Sequence, residues 1–217
     1  MRRVWMILET ILDTILPLRA RTVRTKSRVL EDIPLTPTPH ELLGVRITTL
    51  MNYRDSAVQD LIQSLKYDGS THAARLAAAV LADYLREEIA SAHTFSARRT
   101  LLVPVPLHKH RANERGFNQI ELVLQALPQE FLDGTLATLA PKTLVRTRET
   151  KPQTRLPRSE RLSNVAGAFV ASDESLIRDV HVFLLDDVTT TGATLANAAT
   201  PLRRAGAKVT LLALARA

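Results

Sequence analysis

Apolar residues at Val4, Ile7, Leu8, Ile11, Leu12, Ile15 and Leu16 recur at helical spacing, with Glu9 and Asp13 on the other face and Pro17 closing the run. This predicts a short amphipathic helix, packed on its own domain or docked on a partner or membrane surface. A basic stretch from Arg19 to Arg28 follows, and Pro34, Pro37 and Pro39 then interrupt a polar connection. Residues 17 to 43 therefore read as a poorly structured linker. Val45–Met51 has strand composition. In Asp55–Lys66, Val58, Leu61, Ile62 and Leu65 share one helical face, and the turn Tyr67-Asp68-Gly69-Ser70 ends it. His72–Ile89, rich in Ala and Leu, predicts a second helix.

Beyond residue 95 the pattern changes. Thr100–Val105 is a short apolar run suited to a buried strand, and Phe117–Leu127 suits a helix. Ala166–Val170 and Val182–Leu185 read as strands, Leu195–Ala205 as a helix and Ala207–Ala213 as a final strand. Strands alternating with helices imply an α/β fold, a parallel sheet flanked by helices from about residue 95 onward. A helical N-terminal portion packs against it, and the segment near 146–161 reads as mobile.

Composition narrows the class. With 217 residues, 45% hydrophobic and 24% charged, the chain can bury a core and is not disordered or low-complexity. Its 29 Lys and Arg against 22 Asp and Glu leave a net charge of +7, which calls for an anionic partner: nucleic acid, a phosphorylated metabolite or an acidic membrane surface. The absence of Cys excludes disulfides, thiolate zinc sites and a catalytic thiol. No run approaches the roughly 18 apolar residues of a membrane span, and no signal-peptide cleavage pattern follows Leu16, so a cytoplasmic location is expected.

The candidate chemistry lies in Val182-Phe183-Leu184-Leu185-Asp186-Asp187-Val188-Thr189-Thr190-Thr191-Gly192-Ala193-Thr194. An apolar strand runs into two acids, then a hydroxyl-rich loop with one Gly, then a helix. Ligands bind at the carboxyl ends of parallel strands, where the next helix presents free N–H groups and the positive end of its dipole. Such a loop can cradle phosphate, with Gly192 permitting a tight turn against the anion. It lacks the Lys of a Walker loop. The paired acids suit vicinal sugar hydroxyls or a hydrated cation.

This string resembles the phosphoribosyl pyrophosphate (PRPP) signature of type I phosphoribosyltransferases. The resemblance implies that Asp186 and Asp187 hold the ribose hydroxyls. It also implies that Thr189, Thr190, Thr191, Gly192, Ala193 and Thr194 form the 5′-phosphate site. Two further stretches resemble the ComF-type, GntX-like branch of that family: Val103-Pro104-Val105-Pro106-Leu107-His108 with Arg111, Glu114 and Arg115-Gly116-Phe117-Asn118-Gln119, and Lys151-Pro152-Gln153-Thr154-Arg155-Leu156 with Glu160–Phe169. Leu65-Lys66-Tyr67-Asp68-Gly69 fits the same pattern, so the likeness spans residues 45–217.

The cations His108, Lys109, Arg111 and Arg115 are candidates for the pyrophosphate, since the guanidinium fork matches phosphate oxygens. A solvated basic turn is the plainer reading. Arg146, Arg148, Lys151, Arg155, Arg158 and Arg161 form a Pro-broken basic segment. In the resembled family this position is a hood closing over PRPP, with Lys151 and Arg155 joining Asp186 and Asp187 as catalytic candidates. A nucleic-acid patch is the other use of such charge.

Two departures matter. ComF-type proteins commonly carry a Cys-x-x-Cys zinc ribbon after the first helix, whereas Arg19 and Arg21 stand there, so no zinc is expected. Thr190 occupies the position where 6-oxopurine transferases carry an acid, which argues against hypoxanthine or guanine as acceptor. The expected organisation is residues 1–43 as helix, linker and degenerate ribbon, and 44–217 as the phosphoribosyltransferase-like domain. The resemblance implies Mg²⁺-dependent transfer of phosphoribose from PRPP to an unidentified acceptor, with pyrophosphate released. The Mg²⁺ is held by PRPP, with water between it and Asp186 and Asp187. The alternative is a non-catalytic competence or DNA-uptake factor of the same fold, binding single-stranded DNA or a helicase partner.

Overall fold

The computed structural model describes residues 20–95, 98–107, 116–147 and 167–217. The amphipathic run Val4–Leu16 lies outside them. Helix α1 (Ala20–Lys26) and a 3₁₀ turn (Leu30–Asp32) lead into strands β1 (Thr38–Leu42) and β2 (Val45–Asn52). Helices α2 (Ser56–Asp68) and α3 (Thr71–Phe95), strand β3 (Thr100–Pro104) and helix α4 (Gln119–Gln125) follow. Then come β4 (Thr138–Leu139), β5 (Leu144–Arg146), β6 (Phe169–Ala171), β7 (His181–Thr189), helix α5 (Ala193–Arg204) and β8 (Lys208–Arg216).

Six strands form one sheet in the order β1-β2-β8-β7-β3-β4. The pairs β2–β8, β8–β7, β7–β3 and β3–β4 are parallel, and β1 is an antiparallel edge. Successive strand residues face opposite sides. Phe183, Leu185, Leu212 and Leu214 therefore bury against α2, α3 and α4, while Val182, Leu184, Leu211 and Ala213 bury on the face covered by α5. The apolar runs of β7 and β8 are long because both faces are covered.

The sheet starts at residue 38 rather than near 95, and the segment read as a linker is structured from residue 20. Two causes hid it. Pro39 lies in β1, where an edge strand tolerates a missing N–H donor. The β1–β2 hairpin turns through Leu43 and Gly44, both at positive φ (56° and 70°), as a two-residue hairpin requires. In α1, basic residues dock onto the acids of α2. The Arg21 guanidinium grips Asp68 through Nε at 2.9 Å and Nη2 at 3.0 Å, and lies 5.1 Å over the Tyr67 ring. Arg24 grips Asp60 at 2.8 and 2.6 Å, and Arg28 adds a third bond at 3.2 Å. Thr22 and Thr25 reach the buried Ser64 between them. Charge that reads as solvated in sequence is thus largely spent within the fold.

The predicted Phe117–Leu127 helix is shorter, because Asn118 caps it and Ala126 leaves it. The strand predicted at Ala166–Val170 begins at Phe169 and pairs antiparallel with β5 in a separate two-stranded sheet. Between β5 and β6 lies the basic segment, whose residues 148–166 are outside the described set.

Candidate phosphoribosyl site

β7 stays apolar through Leu185 and carries Asp186 and Asp187 toward the carboxyl end of the sheet, where β3 stops opposite Leu185 while β7 and β8 run on together to Thr189 and Arg216. The two acids face different surroundings. Asp187 is buried: its Oδ1 accepts the Val188 N–H at 2.7 Å, and its Oδ2 accepts from Gln119 Nε2 at 2.8 Å and lies 3.3 Å from the Lys66 ammonium. Asp186 is half-buried, keeping a window to solvent, and its Oδ1 accepts the Asp187 N–H at 2.9 Å. Burial first, and the adjacent Asp187 charge second, push the Asp186 carboxyl up to about 8. Two carboxylates side by side ionise together only with counter-charge, and Lys66 provides it on one side.

Lys66 and Gln119 arrive from helices that meet at a glycine. Gly69 ends α2 in the left-handed conformation, and a Cβ there would sit 3.0 Å from the Phe117 ring. Two residues on, Gln119 opens α4. Asn118 fixes that start, donating to the Val105 carbonyl at 3.1 Å and accepting the Ile120 N–H at 3.1 Å. Close packing of Phe117 on Gly69 brings the ends of α2 and α4 together over Asp187.

The loop after β7 turns at Gly192, whose φ of 78° favours glycine. A Cβ there would lie 2.7 Å from Ile47 Cδ1 and 2.9 Å from Leu42 Cβ, so the loop is seated against the β1–β2 hairpin. No side chain caps Gly192 as it opens the 12-residue α5; the nearest contact is Ala193 N–H to Thr191 Oγ1 at 3.4 Å. Backbone donors and the positive dipole end are thus presented beside the acids, an arrangement that suits a phosphate.

The structure brings together Asp186, Asp187, Thr190, Thr191, Gly192, Ala193 and Thr194, and buries Thr189 as the last residue of β7. His108, Lys109, Arg111, Arg115, Lys151 and Arg155 lie outside the described residues. A cavity of about 290 Å³ lined by Pro104, Pro106, Phe117 and Glu121 opens at the end of β3, where the segment with the pyrophosphate candidates starts. Sequence reasoning gave Lys66 and Gln119 no role. The signal was present in the Lys66–Gly69 and Asn118-Gln119 strings, but only the folded chain joins them to Asp187.

A mostly parallel sheet whose central strand carries Asp-Asp near its carboxyl end and turns through Thr-Thr-Gly-Ala-Thr into a helix is the arrangement expected from the resemblance to type I phosphoribosyltransferases. Competence protein ComFC of Streptococcus pneumoniae is 31% identical to the chain over 168 residues, covering 77% of this chain and 66% of that protein. DNA utilization protein YhgH of Salmonella typhimurium is 34% identical over 149 residues, 68% of this chain and 61% of that protein. Competence protein F of Haemophilus influenzae is 34% identical over 120 residues, 54% and 50% of the two chains. The chain belongs to the ComF family.

The chain spans between half and two thirds of the length of these relatives. A crystal structure of Mycobacterium tuberculosis orotate phosphoribosyltransferase in complex with Fe(III) dicitrate is similar over 90% of this chain and 95% of that chain, with 9% identity and a TM-score of 0.34. No protein-family model matches the sequence. Among the described residues, no helix is long and apolar enough to cross a membrane.

Proposed function

We propose that the chain binds PRPP and transfers its phosphoribosyl group to an acceptor, in the service of DNA uptake or utilisation. The observation that carries this reading is the placement of the half-buried Asp186 carboxyl beside the glycine-turned start of α5 at one strand end. The loop N–H groups and Thr hydroxyls take the 5′-phosphate, and Asp186 accepts from the ribose hydroxyls. Asp187, already engaged by Lys66 and Gln119, anchors the strand end behind it. The relatives' names, competence and DNA utilization, support the biological setting.

The donor set fits Mg²⁺ brought in with the ligand. Among the described residues no three His, Asp or Glu converge to hold an ion, while Asp186 keeps a solvent-facing side for a metal-bound water. Bound there, Mg²⁺ would neutralise the departing pyrophosphate. The basic residues His108, Lys109, Arg111 and Arg115, with Lys151 and Arg155, are proposed for the same charge from the protein side.

Calorimetric titration with PRPP, with and without Mg²⁺, tests the reading against the double variant Asp186→Asn/Asp187→Asn. Binding lost in the variant, followed by acceptor-dependent pyrophosphate release, is the expected result. No binding at millimolar PRPP would refute it. A second reading, a non-catalytic factor for single-stranded DNA or a helicase partner, is favoured by the relatives' names. It predicts oligonucleotide binding that weakens steeply with salt and with loss of Arg155 and Arg158. In the described part of the chain, the arginines of α1 add little to such a surface, being paired with Asp60 and Asp68.

A further inference from the structure

A cavity of about 730 Å³ lies at the same end of the sheet, over the ends of β2 and β8, lined by Thr36, Thr38, His40, Asn52, Arg54 and Arg216 among others. It adjoins the phosphate loop: Arg216 is the register partner of Thr189, and the Ala217 N–H donates to the Thr189 carbonyl at 3.1 Å.

Among the described residues neither Arg54 nor Arg216 forms an ion pair with a carboxylate. The one acidic side chain on the lining, Asp55, spends its carboxylate on the N–H groups of Ala57 and Val58. Arg216 is oriented instead by a histidine: its Nη1 donates to His40 Nδ1 at 2.6 Å, so His40 carries its proton on Nε2 and donates to Thr49 Oγ1 at 3.0 Å. Burial, then the Arg216 charge, holds His40 below its ordinary range and so neutral. A neutral acceptor aims a guanidinium without cancelling its charge, whereas a carboxylate would do both. Among the described residues no Phe, Tyr or Trp lines the cavity, so these residues offer no platform for stacking a base.

We infer that this cavity receives an anionic group, a carboxylate or a phosphate, on the molecule that accepts phosphoribose. The acceptor role rests on the PRPP reading above, while the anion chemistry rests on Arg216, His40 and the surrounding hydroxyls alone. Phosphoribose bound at the loop places its reacting carbon on the same end of the sheet, and an anion held by Arg216 fixes the acceptor beside it.

The test uses the full chain and three probes of one shape: benzoate, phenyl phosphate and the neutral benzamide. Titrations follow the Arg216 Nε–H resonance by NMR, with PRPP absent and then present. Benzoate or phenyl phosphate, but not benzamide, should shift that resonance, and the stronger of the two identifies the anion. Arg216→Gln, which removes that reporter and is therefore read by calorimetric titration of the same probes, should weaken binding at least tenfold. His40→Gln, which keeps a neutral acceptor for Arg216, should retain it, and His40→Glu, which neutralises the guanidinium, should lose it at least tenfold. Equal shifts from benzamide, or undiminished binding in His40→Glu, would overturn the anion site while leaving PRPP binding intact. Anions bound in the cavity by a protein that fails to bind PRPP would instead overturn the acceptor role and the proposed function with it.

Discussion

Replacing Gly192 with Ala perturbs the loop between β7 and α5 in two separable ways. The residue must hold a φ of 78°, which costs an L-residue about 1–2 kcal/mol. Its new methyl also meets Ile47 Cδ1 at 2.7 Å and Leu42 Cβ at 2.9 Å, contacts closer than carbon atoms tolerate. Overpacking of that kind costs about 1–3 kcal/mol. The sum, about 2–5 kcal/mol, corresponds to a fall in Tm on the order of 4–20 °C for a chain of this length. Gly44 is the internal control. It has nearly the same φ, 70°, but a Cβ there meets nothing within 4 Å, so Gly44→Ala should show the backbone cost alone, roughly 2–8 °C.

Thermal unfolding by circular dichroism of both variants gives the difference. A second comparison adds Ile47→Val, which removes the nearest atom at an intrinsic cost of about 0.5–1.5 kcal/mol. The double variant Gly192→Ala/Ile47→Val should be less destabilised than the two single changes summed. Equal losses for Gly192→Ala and Gly44→Ala, together with strict additivity toward Ile47, would refute the argument that the hairpin seats the loop.

Three other outcomes are expected. The Asp186 carboxyl is raised above its ordinary value of 3.8, so its contribution to stability is complete below about pH 4 and is lost as pH rises through about 8; calorimetric Tm should lose ground from pH 5 to 9 less steeply in Asp186→Asn than in wild type, and identical profiles would contradict the assignment. Lys66→Met keeps the aliphatic stem but strips Asp187 of its counter-charge; a loss of about 1–3 kcal/mol in urea unfolding, largely abolished when Asp187→Asn is already present, is the expected cycle. Asp60 is buried beneath Arg24 and Arg28, so Asp60→Ala should cost about 1–3 kcal/mol and loosen α1 to limited proteolysis, whereas the half-exposed Arg24→Ala should cost less; equal effects would mean the pairs do not hold α1.

Elements whose rules are local are readable from the chain alone. β7 reads as a buried strand because Val182–Leu185 are apolar without interruption, and α2 reads as a helix because Val58, Leu61, Ile62 and Leu65 repeat at its period. The candidate phosphate loop is legible because Asp-Asp, three threonines and Gly192 lie within one short stretch. Other features depend on partners distant along the chain. Lys66 and Gln119 become partners of Asp187 because Phe117 packs on Gly69, a contact no periodicity records. Arg21, Arg24 and Arg28 turn from apparent linker charge into clamps because Asp60 and Asp68 lie on the facing side of α2. β1 was hidden by its prolines and is an edge strand only because β2 lies beside it. The unequal surroundings of Asp186 and Asp187 have the same origin: adjacent residues of one strand face opposite ways, and what waits on each side is set by the packing of helices, not by the strand.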